Sequence, residues 1–306
     1  MKRRLATRKS PLALWQAQRT AELLRAARPE SEVELVSISS AGDLDRTTAV
    51  PEFGRTGVFT AEVDRAVLDG RADAGVHSLK DLPTELPAGI VLASTLDRAN
   101  AEDALLARGD VRLADLPPRA RVGTGSVRRR ALLLSIRPDL EIVAVRGNVE
   151  TRIDLLERGE LDALVMARAG LERLGLGAKI TEVLGAPRFL PAVGQGIIGL
   201  TCRADDEPTR RALAGIGDPE AWAEAHAERA LLSALQGGCN APVAARARAV
   251  EGALAITACV LALDGSQRVE DSARGAIDDA DAIGRGLAQR LLVRGAARWI
   301  DAARGR

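Results

Sequence analysis

The chain has no tyrosine, three phenylalanines and three tryptophans, so aromatics make up 2% of its 306 residues. Its cores must therefore be built from Leu, Val, Ile and Ala, and platforms on which nucleic-acid bases stack are scarce. Charge of one sign is lacking too: 43 Lys and Arg stand against 42 Asp and Glu, a net charge of +1. A nucleic-acid binder usually carries a domain-wide basic excess, so no nucleic-acid partner is expected. With two histidines, His77 and His226, a histidine-rich metal centre is excluded. Three cysteines without a Cys-x-x-Cys pair give neither a disulfide framework nor a zinc signature, and no metal is expected. No apolar run nears membrane-spanning length. The basic start Met1-Lys2-Arg3-Arg4 leads into Thr7-Arg8-Lys9-Ser10 rather than an apolar signal core. The expectation is a cytoplasmic protein with no membrane partner, in which any anion site arises from local clustering.

What is present suits a multi-domain α/β protein. The length exceeds what one core usually holds, and 46% hydrophobic with 28% charged residues is ordinary for a globular chain. Residues 4–7 read as a strand, Ser10-Pro11 as an N-cap with proline at the first helical position, and 12–24 repeat apolar residues at helical spacing. The device recurs at 121–124, where a strand leads through Gly125-Ser126 into a helix over 127–136. Further strands are expected near 33–38, 73–77, 90–94, 104–107, 140–145, 161–166 and 197–202, and helices over 60–70, 149–158 and 207–216. Gly70-Arg71-Ala72-Asp73-Ala74-Gly75-Val76 echoes Gly159-Glu160-Leu161-Asp162-Ala163-Leu164-Val165, and Leu82 falls at the offset of Leu171. Two similar α/β lobes with mainly parallel sheets follow, with ligand sites at strand ends. Gly194-Gln195-Gly196 reads as a hinge turn, because the dinucleotide fingerprint and a Gly-Lys-Ser/Thr are missing. Beyond it the chain returns to the first lobe. From Pro219 a long helix, three strands and closing helices form a smaller α+β domain. The expected division is 1–96 with 197–216, then 97–196, then 217–306.

Cys239 lies in Leu235-Gln236-Gly237-Gly238-Cys239-Asn240-Ala241-Pro242, where the glycines and the proline make a turn. Cys202 and Cys259 sit in strand-like stretches, where cysteine packs as a small hydrophobe. Context alone leaves Cys239 open between a reactive thiol and a loop cysteine of no consequence. Cations recur where strands hand over to helices: Arg8, Lys80, Arg128, Arg129, Arg146, Arg152 and Arg173. In open α/β folds such turns gather around one crevice, and helix N-termini there favour anions. Ser10, Thr124 and Ser126 add hydroxyls. Arg128 and Arg129 follow a serine cap, at a helix end that opposes cations unless an anion compensates. Asp81, between Lys80 and Leu82-Pro83, is either a site carboxylate that handles protons and developing positive charge or a turn-forming aspartate; spacing does not choose. His77 reads as packing at a strand end. The loop over 41–57, with Arg55 and Thr56 near its end, has a length common in lids and disordered segments.

Collinear stretches carry a resemblance. They are Ala6-Thr7-Arg8-Lys9-Ser10-Pro11 through Gln16, Ala74-Gly75-Val76-His77-Ser78-Leu79-Lys80-Asp81-Leu82-Pro83, and Val122-Gly123-Thr124-Gly125-Ser126-Val127-Arg128-Arg129. They continue with Val145-Arg146-Gly147-Asn148-Val149 and Arg152, Ala169-Gly170-Leu171-Glu172-Arg173, Leu190-Pro191-Ala192-Val193-Gly194-Gln195-Gly196, and Gly237-Gly238-Cys239. In these the chain resembles the porphobilinogen deaminase (hydroxymethylbilane synthase) family. The resemblance implies two lobes built like periplasmic binding proteins plus a smaller C-terminal α+β domain. It implies a transferase that condenses four porphobilinogen molecules with loss of ammonia and then hydrolytically releases the linear tetrapyrrole. Growth starts from a dipyrromethane cofactor held by a thioether, which by position falls to Cys239.

By the same resemblance Asp81, Arg8, Arg146 and Arg152 are expected to be catalytic. Lys80, Asp81, Thr124, Ser126, Arg128, Arg129 and Arg146 are expected to hold the cofactor, and Arg8, Ser10, Gln16, Arg152, Arg173 and Gln195 the substrate. Each pyrrole bears two carboxylates, and arginine is the best carboxylate fork. A monomer that passes its product to uroporphyrinogen-III synthase is the family expectation. Thr56 stands where lysine is usual, Gly125 where a hydroxyl is usual, and Gln236 and Asn240 replace Glu and Gln beside the thiol. Two other readings stand beside this one. A two-lobed small-anion-binding protein without catalysis does not account for the loop thiol, and a nucleic-acid binder using 127–130 is disfavoured by the charge balance.

Overall fold

A computed structural model describes residues 2–38, 60–238 and 241–304. The loop over 41–57, Arg55, Cys239 and Asn240 lie outside the described residues. In chain order the strands are β1 (Lys2–Arg8), β2 (Glu32–Ile38), β3 (Ala74–Ser78), β4 (Ile90–Thr95), β5 (Asp103–Ala107), β6 (Arg121–Gly123), β7 (Glu141–Val143), β8 (Ala163–Ala167), β9 (Glu182–Leu184), β10 (Ile198–Arg203), β11 (Val243–Val250), β12 (Ala253–Leu261) and β13 (Arg268–Ala276). The helices are α1 (Pro11–Ala27), α2 (Ala61–Leu68), α3 (Val127–Ile136), α4 (Val149–Glu157), α5 (Arg168–Arg173), α6 (Glu207–Ala214), α7 (Pro219–Ala234), α8 (Ala280–Val293) and α9 (Ala297–Ala303). None of the described helices is long and apolar enough to cross a membrane. The chain divides into two compact units, Met1–Arg98 with Ile197–Trp222 and Ala99–Gly196 with Ala223–Arg306.

The first unit is a five-stranded sheet in the order β2-β1-β3-β10-β4, and the second contains a matching sheet, β7-β6-β8-β5-β9. In each, three strands are parallel and the next two pairings are antiparallel. The expectation of mainly parallel sheets is thus corrected to half. The reason lies in the connections. β5 and β10 are the strands by which the chain enters a new unit, and each starts where the parallel strands end: Asp103 opposite Ala167, Ile198 opposite Ser78. The sequence echo has a physical basis. Asp73 accepts the Arg4 N–H and donates its own N–H to the Arg4 carbonyl; Asp162 does the same with Arg121. Both aspartates follow a glycine with positive φ, Gly70 at 69° and Gly159 at 75°. The return of the chain to the first sheet through β10 agrees with the sequence reading. β9, not foreseen, is a three-residue edge strand with too few residues for any period to appear.

The second unit also holds the antiparallel sheet β11-β12-β13, the smaller C-terminal element that the pattern change at Pro219 announces. Its edge strand β11 is closed rather than left bare. The outward N–H groups of Ala245, Ala247 and Ala249 donate to the Pro191 carbonyl, Glu228 and Glu224 respectively. An unpaired edge invites another strand, so two buried glutamates on α7 complete the ladder. Cys202 and Cys259 are buried, and burial pushes their thiols up to about 11 and about 12. They pack as expected.

His77 lies beneath the end of β3, its Nε2 3.1 Å from Thr201 Oγ1 and 3.5 Å from Asp64 Oδ1. Among the described residues no hydrogen bond reaches the Asp64 carboxylate, and both side chains are buried. Burial raises Asp64 to about 6 and lowers His77 to about 4. A lowered histidine loses stability as pH falls from its unfolded value toward 4, whereas a raised aspartate gains stability over the fall from 6. In the intact pair these slopes oppose each other. Asp64→Asn should therefore make stability fall on acidification between about pH 6.5 and 4, and His77→Gln should make it rise, relative to wild type. Urea denaturation across that range measures both; equal slopes in the two variants would contradict the pairing.

Candidate functional site

In the first unit the expected residues collect where β1 and β3 end. Arg8 closes β1, and Ser10 caps α1 by accepting the Ala13 N–H at 3.4 Å. Proline at the first helical position gives up a donor that would be unsatisfied there anyway. Gln16 is buried, with its Nε2 2.9 Å from Ser78 Oγ. It therefore fastens α1 to the end of β3 rather than facing solvent. After Ser78 the chain makes one 3-10 turn, Leu79–Asp81, held by the Leu79 N–H on the Ile197 carbonyl at 3.0 Å. Leu79 and Leu82 are buried on either side. Between these anchors Lys80 is half-buried and Asp81 exposed. Asp81 thus stands in a turn pinned at both ends, where its carboxylate is open to solvent and to a ligand.

In the second unit the order is built from the backbone outward. Thr124 N–H donates to the Val143 carbonyl, Thr124 Oγ1 accepts the Ser126 N–H, and Ser126 caps α3 by accepting the Arg129 N–H. Gly125 has a plain reason for lacking a side chain: a Cβ there would lie 2.7 Å from the Val145 carbonyl oxygen. Arg128 and Arg129 then turn inward. Arg128 Nη1 donates to Asp103 Oδ2 and to the Leu190 carbonyl, both at 2.7 Å. Arg129 Nε donates to Asp103 Oδ1 at 2.8 Å, and its Nη1 to the Val165 carbonyl. Asp103 is fully buried and the arginines are 4% and 6% exposed. Burial raises the Asp103 carboxyl, but the two guanidiniums and the bonds from Arg128 and Gln195 outweigh it and hold the group at about 2. The anion that the helix dipole calls for is thus supplied by the chain itself.

Three further expected residues tie backbone. Arg152 Nε donates to the Gly147 carbonyl, across the Arg146-Gly147-Asn148 turn that Asn148 completes by capping α4. Arg173 Nη2 donates to the Gly196 carbonyl at 2.7 Å. Gln195 is buried, its Nε2 donating to the Ala101 carbonyl and to Asp103 Oδ1. Gly194 N–H goes to Glu228. The segment over 194–196 is therefore held from α5, β5 and α7, and the chain leaves the unit directly after it. Arg146 is half-buried, and its Nη2 is a buried donor with no partner among the described residues. Near the thiol, Gln236 adopts φ 50° and Gly237 N–H closes on the Leu232 carbonyl, a helix end of the left-handed type. The turn expected there is present as far as Gly238.

Comparison with known proteins adds what geometry does not. A sequence profile described as porphobilinogen deaminase, dipyromethane cofactor binding domain, matches residues 4–211, and one described as porphobilinogen deaminase, C-terminal domain, matches 222–293. The chain belongs to the porphobilinogen deaminase family. Relatives named porphobilinogen deaminase include that of Geobacter metallireducens, 42% identical over 96% of this chain and 92% of its own length. That of Syntrophomonas wolfei is 42% identical over 96% of each, and that of Pelobacter propionicus 43% over 95% and 94%. Among solved structures, the BvgS VFT2 domain of Bordetella pertussis covers 70% of this chain and 86% of its own, at 15% identity and a TM-score of 0.43. Membership rests on the sequence relatives alone.

Sequence reasoning missed Asp103, on which Arg128, Arg129 and Gln195 converge. The signal was an acid placed directly before the apolar run Ala104-Leu105-Leu106-Ala107, where β5 begins one residue earlier than periodicity suggests. No group of three or more potential metal ligands occurs among the described residues. The turn over 194–196 is testable. Gly196 has φ 92°, and a Cβ there would sit 2.5 Å from the Ala99 carbonyl oxygen. Gly196→Ala should lower stability by roughly 1–3 kcal/mol, read as a lower midpoint in chemical denaturation; an unchanged midpoint would show that the turn relaxes freely.

Proposed function

We propose that the chain is a hydroxymethylbilane synthase. It joins four porphobilinogen molecules head to tail, with one ammonia lost at each joining, onto a dipyrromethane primer held by a thioether to Cys239. Hydrolysis then releases the linear tetrapyrrole. What supports this reading most is identity of 42–43% across nearly the whole length of relatives that carry the deaminase name. The reading treats the second unit as two domains, so that 1–96 with 197–216, 97–196 and 217–306 are the working parts. It also takes the protein to be a cytoplasmic monomer whose product passes to a uroporphyrinogen-III synthase.

The residues fit the group they would hold. A dipyrromethane brings four carboxylates, and Arg146 Nη2 and Arg128 Nε are buried donors that find no partner among the described residues. Such donors are costly unless an acceptor arrives, and a carboxylate is the acceptor an arginine suits best. Thr124 and Ser126 precede Arg128 on the same turn. When bound, the dipyrromethane supplies a nucleophilic pyrrole carbon at its free end. The chain does the rest. Arg8, Arg146 and Arg152 hold carboxylates near the reacting rings, and Lys80, Ser10 and Arg173 add cationic or hydroxyl contacts. Asp81 takes and returns the proton as ammonia leaves, and its negative charge steadies the positive charge that develops on a pyrrole nitrogen. Gln16 and Gln195 act through Ser78 and through Arg129 with Asp103, because their side chains are spent on those bonds.

Intact mass of the purified chain tests the attachment. Wild type should carry an adduct equal to two porphobilinogen units less two ammonias, and Cys239→Ser should not; a bare wild-type mass after incubation with porphobilinogen would overturn the reading. Asp81→Asn should fold and bind substrate yet lose turnover by about 10²–10⁴-fold, the usual range for one acid–base group. Near-normal turnover by that variant would remove Asp81 from the mechanism.

A further inference from the structure

The geometry points to Asp103 as the positioning residue of the second unit's anion site, the group that aims the Arg128 and Arg129 forks and leaves their cluster with one net positive charge. The inference rests on the deaminase reading for what the anion is. It rests on coordinates for everything else. Asp103 is the first residue of β5, opposite Ala167 at the end of β8, and it has no exposed surface. Each of its oxygens takes a different arginine, Oδ2 from Arg128 and Oδ1 from Arg129, and Oδ1 also accepts from Gln195. Backbone carbonyls at Leu190 and Val165 take one further N–H from each guanidinium. Both forks are thereby fixed in direction before any ligand is present, and Arg128 keeps its Nε without a partner among the described residues.

Charge decides why an acid and not an amide stands there. Two guanidiniums buried at the start of α3 face the positive end of the helix dipole. Without Asp103 they would repel each other in a low-dielectric setting and swing toward water. With it, the cluster keeps a single positive charge, enough to attract a carboxylate ligand. Asn would preserve shape and one acceptor but would remove both fork-to-fork attractions. Through Gln195 the same residue also ties down the segment over 194–196, so the aim of the arginines and the setting of that turn share one anchor.

The test compares Asp103→Asn with Asp73→Asn, which breaks the ion pair to Arg4 in the first unit and serves as the stability control. Each variant is purified, incubated with porphobilinogen well below its own melting temperature, and weighed intact. Asp103→Asn should carry the dipyrromethane adduct at least tenfold less often than wild type, while Asp73→Asn loads normally. Equal loading in Asp103→Asn, or a loss matched by Asp73→Asn at the same residual stability, would overturn the inference. Wild type supplies a second readout that needs no variant to fold. Its Arg129 Nε–H should exchange with solvent at least tenfold more slowly than that of an exposed arginine such as Arg211, and equal rates would overturn the proposed aim. If wild type itself takes up no adduct, the deaminase reading fails, and comparing Arg129 Nε–H exchange in Asp103→Asn with wild type still decides whether Asp103 holds Arg129: at least tenfold faster exchange in the variant supports it, and equal rates overturn it.

Discussion

Two arginines on consecutive residues, both buried at the positively polarised start of one helix, cannot stand there without an anion. Removing an ion from water costs several kcal/mol, and like charges in low dielectric add to that. Asp103 resolves both terms at once, because one carboxylate has two oxygens and each takes a different fork. Much of the second unit follows from that arrangement. β5 must place its first residue at the C-terminal edge of the sheet, α3 must begin opposite it, and Gln195 must come back from the far end of the unit to satisfy a remaining lone pair. A buried ionic cluster is weak evidence for stability as such. Its value here is direction.

The first unit solves a similar problem with less charge. There the pinned turn over Leu79–Asp81 lies between two buried leucines, and the Gln16–Ser78 bond locks the helix beside it. The two units share sheet order, strand sense and the aspartate that closes the first ladder rung, yet the turns that follow their parallel strands differ. One has the exposed carboxylate of Asp81 and the other the buried guanidiniums of Arg128 and Arg129.

Local signals in the sequence were informative where the physics is local. Serine caps, proline at the first turn and the Gly-x-x-Asp echo each reflect a bond within a few residues or a repeated backbone need, and the structure has them at Ser10, Ser126, Asp73 and Asp162. Strand sense was not legible, because an entering strand such as β10 reads like any apolar run until its partner is known. The inward turn of Arg128 and Arg129 was equally hidden. Their counter-ion is 25 and 26 residues away, and nothing in a run of three arginines says which of them is buried. Gln195 reads in the sequence as part of a hinge turn, whereas the structure has it bonded into the charge cluster. Chemistry at Cys239 is an expectation that rests on family resemblance, since a loop thiol alone has no chemistry written into its neighbours.

Ammonia release is the most direct measure of the central claim that this chain carries out the condensation. The purified chain, given porphobilinogen in excess, should release one ammonia for each porphobilinogen consumed and yield a linear tetrapyrrole, with four ammonias per product molecule. Binding of porphobilinogen with no ammonia released and the substrate recovered unchanged would contradict the account and leave a protein that only holds small anions.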